Sequence, residues 1–371
     1  MSSDARVING VHHIVLGGMH DDSASKCELR LLRHGVVFHI AASADDIANT
    51  PFHQHWKAIV STADTPSMTT GERADRLCEL LIETSLPILK DLAPEGVPRD
   101  RSIRACFHTT TYHLQLTHDS VSQTVKASVT SGPADGSPYG FQTTGMDEVD
   151  AFAAGIIRYD SLDLEIVGTG AELPMQMGPR KVRTPDGALH CFKACMKDGK
   201  RLGRNQISNV NRDVIRTYLK LHRDPLETRG VPSISGIVVD ESEFAGILLR
   251  GTHAAESLVE HLSAINTVEH LERVRRQVPE WQAQISSVIA QLHGRGYCFN
   301  EEEWGDYIDQ YTLLVDEDGD IWLPLARIFQ LPDGDHGSRG LISKDDEAVK
   351  RVFEQFVPEE LSRLQAQMDL T

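Results

Sequence analysis

Residues 11–43 alternate apolar and polar positions: Val11, Ile14 and Leu16, then Cys27, Leu29 and Leu31, then Val36, Val37, Phe38 and Ile40. A period of two marks strands with one buried face, so this stretch predicts strands, with Gly35 in the turn between the last two. The period lengthens over 71–94, where Leu77, Leu80, Leu81 and Leu89 fall near helical spacing. Pro87 predicts a kink or break in that helix, and Pro94 a stop. Residues 102–130 return to strand character, rich in Thr, Val and His. The Gly/Pro/Ser run at 131–140 predicts a loop and a domain boundary.

Residues 141–172 are mixed, with a strand expected at Leu162–Val167. A hairpin is expected over 174–200, with Lys181–Arg183 and Ala188–Met196 flanking the turn Thr184-Pro185-Asp186-Gly187. Val210, Val214, Ile215, Tyr218 and Leu221 predict a helix over 206–222, and Ile234–Val239 and Phe244–Leu249 read as strands. Helical periodicity covers 254–264 and 268–292, with Pro279 expected to divide the second segment. A last helix is expected at 345–368. The fold class is α+β, with strands dominating the first two-thirds and helices the last third.

The chain has 371 residues, 40% of them hydrophobic, enough for more than one lobe or domain. Its formal net charge of −17 argues against a surface built for broad nucleic-acid binding. Six scattered cysteines without a CxxC pair point to free thiols in a reducing compartment. The sequence MSSDARVING lacks the apolar core of a signal peptide. No apolar run reaches the roughly 20 residues of a membrane span. The expectation is a soluble, cytoplasmic protein without a membrane partner.

The densest chemical signal runs from Leu292-His293 to Phe329. An amphipathic segment, Val274–Leu292, leads into His293-Gly294. Trp304-Gly305-Asp306 follows, then the apolar run Leu313–Val315, a polar turn at Asp316–Asp320 and a second apolar run, Ile321–Leu325. Helix, loop with an acid, strand, turn and strand is how protein kinases present a catalytic Asp and then a metal-binding Asp.

With the hairpin, helix and strand pair before it, the segment from about 174 to 330 resembles the protein-kinase-like fold. It is similar to the kinase-like proteins of filamentous fungi, some of them associated with secondary-metabolite gene clusters. Their loop typically reads Trp-Gly-Asp-x-Lys-x-x-Asn, and a Leu-rich helix ending near Leu-Ala-Pro is matched by Leu92-Ala93-Pro94. The resemblance implies a two-lobed fold with a strand-rich extension: 1–135 as extension, 136–250 as the first lobe and 251–371 as the helical second lobe.

The resemblance further implies that Lys193 grips nucleotide phosphates, with ATP as the cofactor, and that Asp213 on the following helix pairs with it. It makes Asp306 the acid that orients an attacking hydroxyl, with Asp309 beside it in the same loop. His293 matches a structural residue. The sequence departs from the family where chemistry is most demanding. Ile308 stands where the loop Lys would be, and Tyr311 where its Asn would be. The metal-binding Asp falls near Leu325, which offers no oxygen to Mg²⁺. No GxGxxG precedes Lys193, and Gly168 and Gly170 are a weak substitute. The expectation is a kinase-like protein with a dismantled phosphotransfer site, repurposed in fungal secondary metabolism.

Two other functions share that scaffold. Glu301, Glu302 and Glu303, with Asp306 and Asp309, form an acidic cluster able to hold a guanidinium or ammonium substrate. That would suit an arginine-containing cyclodipeptide synthase using aminoacyl-tRNA. Arg273, Arg275 and Arg276 with Lys200, Arg201 and Arg204 would then supply a positive groove. An atypical phosphotransferase would place a metal on Asp306 with Asp316 or Asp309.

Other constellations read as structure. Asp316, Asp318 and Asp320 resemble an EF-hand start, but Gly319 comes too early and Arg327 replaces the closing Glu, so a turn is expected. His12-His13 and His53-Gln54-His55 lack a carboxylate or thiol at ligand spacing. Cys191 and Cys195 share one face of a strand as small apolar groups.

Overall fold

The computed structural model describes residues 5–8, 11–20, 25–60, 69–95, 100–137, 143–167, 181–195, 207–252, 255–299, 308–309, 312–325, 328–330 and 338–369. It is mixed α+β and divides into two compact units. Unit 1 comprises Met1–Phe141 and Leu162–Arg180, and unit 2 comprises Gln142–Ser161 and Lys181–Thr371.

Unit 1 is built on a sheet in the order β1-β2-β3-β4-β5-β6. Strands β1 (Ala5–Ile8), β2 (Val11–His20), β3 (Lys26–Arg33) and β4 (Val36–Ser43) form an antiparallel meander. Strand β5 (Thr109–Asp119) lies parallel to β4 and antiparallel to β6 (Thr124–Gly136). A parallel neighbour needs a crossover. Helices α1 (Pro51–Val60), α2 (Thr70–Leu92) and the single turn α3 (Arg104–Phe107) supply it. Helix α2 starts at a capping box: Glu72 N–H donates to Thr69 Oγ1 at 3.2 Å and Thr69 N–H donates to Glu72 Oε2 at 2.7 Å.

The alternation in β3 and β4 buries Leu29, Leu31, Phe38 and Ile40 against Trp56, Leu77, Leu81, Ile82 and Leu89 of the helices. Each such side chain contributes roughly 1.5–3 kcal/mol of burial. Arg33 continues that face as a fully buried cation whose Nε donates to Ala93 O at 3.2 Å, closing the C-terminal end of α2.

Two expectations need correction here, and one element was not anticipated. Helix α1 was not expected; Phe52, Trp56 and Ile59 are its buried or half-buried positions. Pro87 does not break α2, because it sits on the exposed side where water serves the carbonyl it frees. Residues 131–136 are strand rather than loop. They extend β6, which is an edge strand, so Pro133 removes no ladder bond on its outer side.

The chain then passes into unit 2 for a short helical turn, α4 (Asp147–Asp150), and strand β7 (Arg158–Asp160). After the 3-10 turn Ser161–Asp163 it re-enters unit 1 with β8 (Glu165–Ile166), shorter than the strand expected there. Ile103 N–H donates to Leu164 O at 2.9 Å and Ile166 N–H to Arg101 O at 2.7 Å, which ties this return into unit 1.

Unit 2 resumes with β9 (Lys181–Arg183), β10 (Leu189–Ala194), helix α5 (Ile207–Arg223), β11 (Ile234–Asp240) and β12 (Glu243–Leu249). Its main sheet runs β7-β11-β12-β10-β9, antiparallel except for the β7–β11 pair. Next come β13 (Glu256–Ser257), α6 (Leu258–Ser263), the long α7 (Val268–Gly294), β14 (Tyr297–Cys298), β15 (Leu314–Val315), β16 (Ile321–Trp322) and β17 (Phe329–Gln330). Strand β14 pairs with β17, and β15 pairs with both β13 and β16. Helix α8 (Ser338–Lys350), a π-helical stretch (Arg351–Phe356) and α9 (Val357–Met368) close the unit.

One core joins α5, α7, α8 and α9 to β11 and β12 through Val214, Ile215, Tyr218, Ile237, Ile247, Val274, Ile285, Val288, Val349 and Leu361. Pro279 does not divide α7; it is exposed, and Val274, Trp281 and Ile285 keep packing on either side of it. The C-terminal helical segment begins at Ser338, earlier than the expected residue 345. Among the described residues no helix is long and apolar enough to cross a membrane.

Candidate functional site

Lys193 lies on β10, opposite Ile247 of β12. Burial alternates along β10. His190, Phe192 and Ala194 are buried on one face, while Cys191 and Lys193 are half-buried on the other. The Lys193 face therefore carries Cys191, Ile247 and Leu249, which belong to the core built on α5. On the opposite face His190 Nδ1 lies 2.9 Å from Ser235 Oγ. Gly246 of β12 pairs with Ala194, next to the lysine. A Cβ on Gly246 would sit 2.4 Å from Lys193 O and 2.8 Å from the Phe192 ring. Glycine is required there by contact.

Asp213 lies on α5, the element after β10, but its side chain falls outside the described residues. So do Glu301, Glu302, Glu303 and Asp306. The expected Lys193–Asp213 pair and the acidic cluster thus have no described geometry.

Asp309 is described, and its carboxylate is used locally. Thr312 N–H donates to Asp309 Oδ1 at 2.8 Å, and Asp309 N–H donates to Thr312 Oγ1 at 2.9 Å. This reciprocal pair folds the chain into Leu313, whose carbonyl accepts Leu258 N–H at 2.8 Å. Asp316 is a turn residue. Its Oδ1 accepts Asp318 N–H at 3.1 Å and Asp320 N–H at 2.9 Å, and its Oδ2 accepts Trp322 Nε1–H at 2.8 Å.

Leu325 is completely buried, and its N–H donates to the Tyr218 hydroxyl at 2.8 Å. Tyr218 on α5 is itself buried. Desolvation pushes its phenol well above the ordinary range, against the opposing effect of the Leu325 hydrogen bond. Leu325, near which the resemblance would put a metal-binding Asp, is a fully buried apolar residue tied to α5.

These observations test whether the residues suit a divalent metal. Mg²⁺ needs hard oxygens that are free to coordinate. Leu325 has none, and the carboxylates of Asp309 and Asp316 already accept backbone or indole N–H groups. Among the described residues no group of three His, Cys, Asp or Glu is placed to hold a metal. The described part of the loop does not fit Mg²⁺.

Pattern reading missed Asp345. It sits on α8 with no solvent exposure, on the same stripe as Ala348, Val349 and Val352. Its Oδ2 is 2.9 Å from His293 Nε2, at the end of α7, and accepts Phe299 N–H at 2.9 Å. A single acid inside an apolar helical stripe was the available signal, since a buried carboxylate must have partners. The dyad holds the chain at Phe299, immediately before the segment that carries Asp306. Comparison with protein-family models and with characterised proteins gives no match for this chain.

Proposed function

We propose that unit 2 is a kinase-like binding module that does not perform ordinary Mg²⁺-dependent phosphotransfer. Strand order supports the kinase-like part. The sheet runs β9-β10-β12-β11, with α5 inserted between β10 and β11, and the long α7 then leads into the pairs β14–β17 and β15–β16. That is the order of elements expected from the resemblance at 174–330. Leu325 carries the second half of the reading: the position of the metal-binding acid is an apolar side chain with no exposure, fastened through its N–H to Tyr218. Without a cation there, charge developing on a transferring phosphoryl group lacks its main electrostatic partner. Lys193, half-buried on the sheet, is the group on which a nucleotide or other anionic small molecule would seat.

A thermal-shift titration with ATP, with and without Mg²⁺ or Mn²⁺, tests this on the full chain and on Lys193→Ala. A ligand that binds only the folded state raises the melting temperature by linkage, about 2.7 kcal/mol at a hundredfold excess over its dissociation constant. The proposal expects either a metal-independent shift that Lys193→Ala abolishes or no shift, and no ATP turnover. A metal-dependent shift accompanied by ATP turnover, both lost in Lys193→Ala, overturns it.

A further inference from the structure

Strand β6 leaves one edge of the unit 1 sheet open. It pairs with β5 on one side and with no described strand on the other. Val125, Ala127 and Gly136 are half-buried, and every other residue of the strand is exposed. Such an edge offers a row of N–H and C=O groups to any strand that can lie beside it. Thr124–Val129 runs opposite Asp119–Leu114 of β5 without a shift. The register then shifts on either side of the His113–Ser131 pair, and Pro133 has no N–H to offer. The usable edge is therefore Thr124–Val129. Its one charged side chain, Lys126, is drawn back onto its own hairpin, with Nζ 2.6 Å from Asp119 Oδ2.

This stretch suits a second copy of itself. Val125 and Ala127 pack against the core under the helices, and Val129, 42% exposed, continues their row beyond that cover. Thr124, Lys126 and Ser128 alternate onto the other face. In an antiparallel pair, facing residues turn their main-chain groups the same way, towards or away from each other. That orientation alternates along each strand, so a two-fold axis between identical strands passes through a residue. An axis at Lys126 would set two ammonium groups face to face. An axis at Ala127 sets Val125 against Val129 of the second copy and Lys126 against Ser128 of the second copy. The two apolar rows then meet, and no like charges stand opposite. The whole chain carries −17, so two copies meet at lower electrostatic cost along a stretch without negative charge.

We propose that the outer edge of β6 is a self-association surface, on which two copies of this chain pair β6 antiparallel about Ala127 and join their unit 1 sheets. The ladder, Val125–Val129 of each copy, is short, so the dimer is weak and concentration-dependent. Sedimentation of the full chain over about a hundredfold range of concentration is expected to show the average mass rising from one chain towards two. Ser128 is exposed and lies opposite Lys126 of the second copy. Ser128→Glu is expected to tighten the dimer and Ser128→Lys to weaken it, each on the order of fivefold. That order is specific to the pairing, because general repulsion between chains of net charge −17 gives the reverse.

Ala127→Cys checks the axis. There the two Cα atoms would lie about 4.5–5.5 Å apart, within disulfide reach, whereas two Val125→Cys positions would be offset by about 13 Å along the strands. Under diamide oxidation Ala127→Cys is expected to cross-link well above both the wild type and Val125→Cys. That cross-link without a change in mass also supports the pairing, as a contact weaker than the concentrations used. A chain that stays single throughout and gives no excess cross-link overturns the proposal and leaves the edge to a strand of another protein. A dimer that ignores both Ser128 variants, or follows the reverse order, overturns it by placing the contact on another surface.

Discussion

His293 Nε2 and Asp345 Oδ2 lie 2.9 Å apart, with the carboxylate fully buried, and the same oxygen receives the N–H of Phe299. One side chain of α8 thereby fixes both the end of α7 and the start of the following loop. Asp345→Ala leaves a partly buried imidazole and a buried N–H without their acceptor. The expected cost is about 3–5 kcal/mol, read as a drop in the chemical-denaturation midpoint. His293→Ala is expected to cost a similar amount, and the double variant less than the sum, which a double-mutant cycle measures.

Tyr218→Phe removes the acceptor of Leu325 N–H with almost no change in volume. The expected loss is about 1–3 kcal/mol, the penalty of stranding one buried donor. Leu325→Asp does not create a metal site. It places a carboxylate where the side chain has no exposure, and the expected result is a destabilised protein with no gain in Mg²⁺-dependent thermal shift.

Gly246→Ala sets a methyl 2.4 Å from the carbonyl of Lys193. That partner is backbone, so β10 and β12 must separate. The expected effect is at least about 2 kcal/mol of destabilisation, with Gly145→Ala, whose Cβ meets nothing within 4 Å, as the silent control.

His39 gives unit 1 a pH dependence whose sign follows from its depressed pKa. The neutral ring is favoured in the fold, so its contribution is complete above the unfolded value of 6.5. It is lost as pH falls from there towards about 4. The half-exposed setting discounts the effect to about 1–2 kcal/mol. Denaturation midpoints measured across that window are expected to fall with acidification for the wild type and to fall less for His39→Asn.

Much of the secondary structure was legible because burial is one-sided. Leu29, Leu31, Phe38 and Ile40 announce strands through a period of two, and Val214, Ile215 and Tyr218 announce α5 through helical spacing. Prolines misled where solvent was the deciding neighbour. Pro87 and Pro279 sit on exposed helix faces, and the flanking apolar stripe held both helices together. Helix α1 escaped notice because Phe52, Trp56 and Ile59 are diluted by His53, Gln54 and His55. The candidate site was legible mainly as a departure from a motif. Ile308 and Leu325 turned out to be buried apolar residues, but Asp345 became visible only when α8 met α7. A partner some fifty residues away leaves no periodic trace; the His293–Asp345 separation is 52.

The chain enters unit 2 at Gln142, leaves it after Ser161, and returns for good at Lys181. Vectorial synthesis therefore delivers the pieces out of step. Edge strand β7 leaves the ribosome before unit 1 has received Leu164, whose carbonyl holds Ile103. The first unit cannot be completed as a nascent domain until part of the second is already waiting. A ribosome paused near residue 140 would hold a first unit with all six strands of its sheet made but with Ile103 still lacking its Leu164 partner.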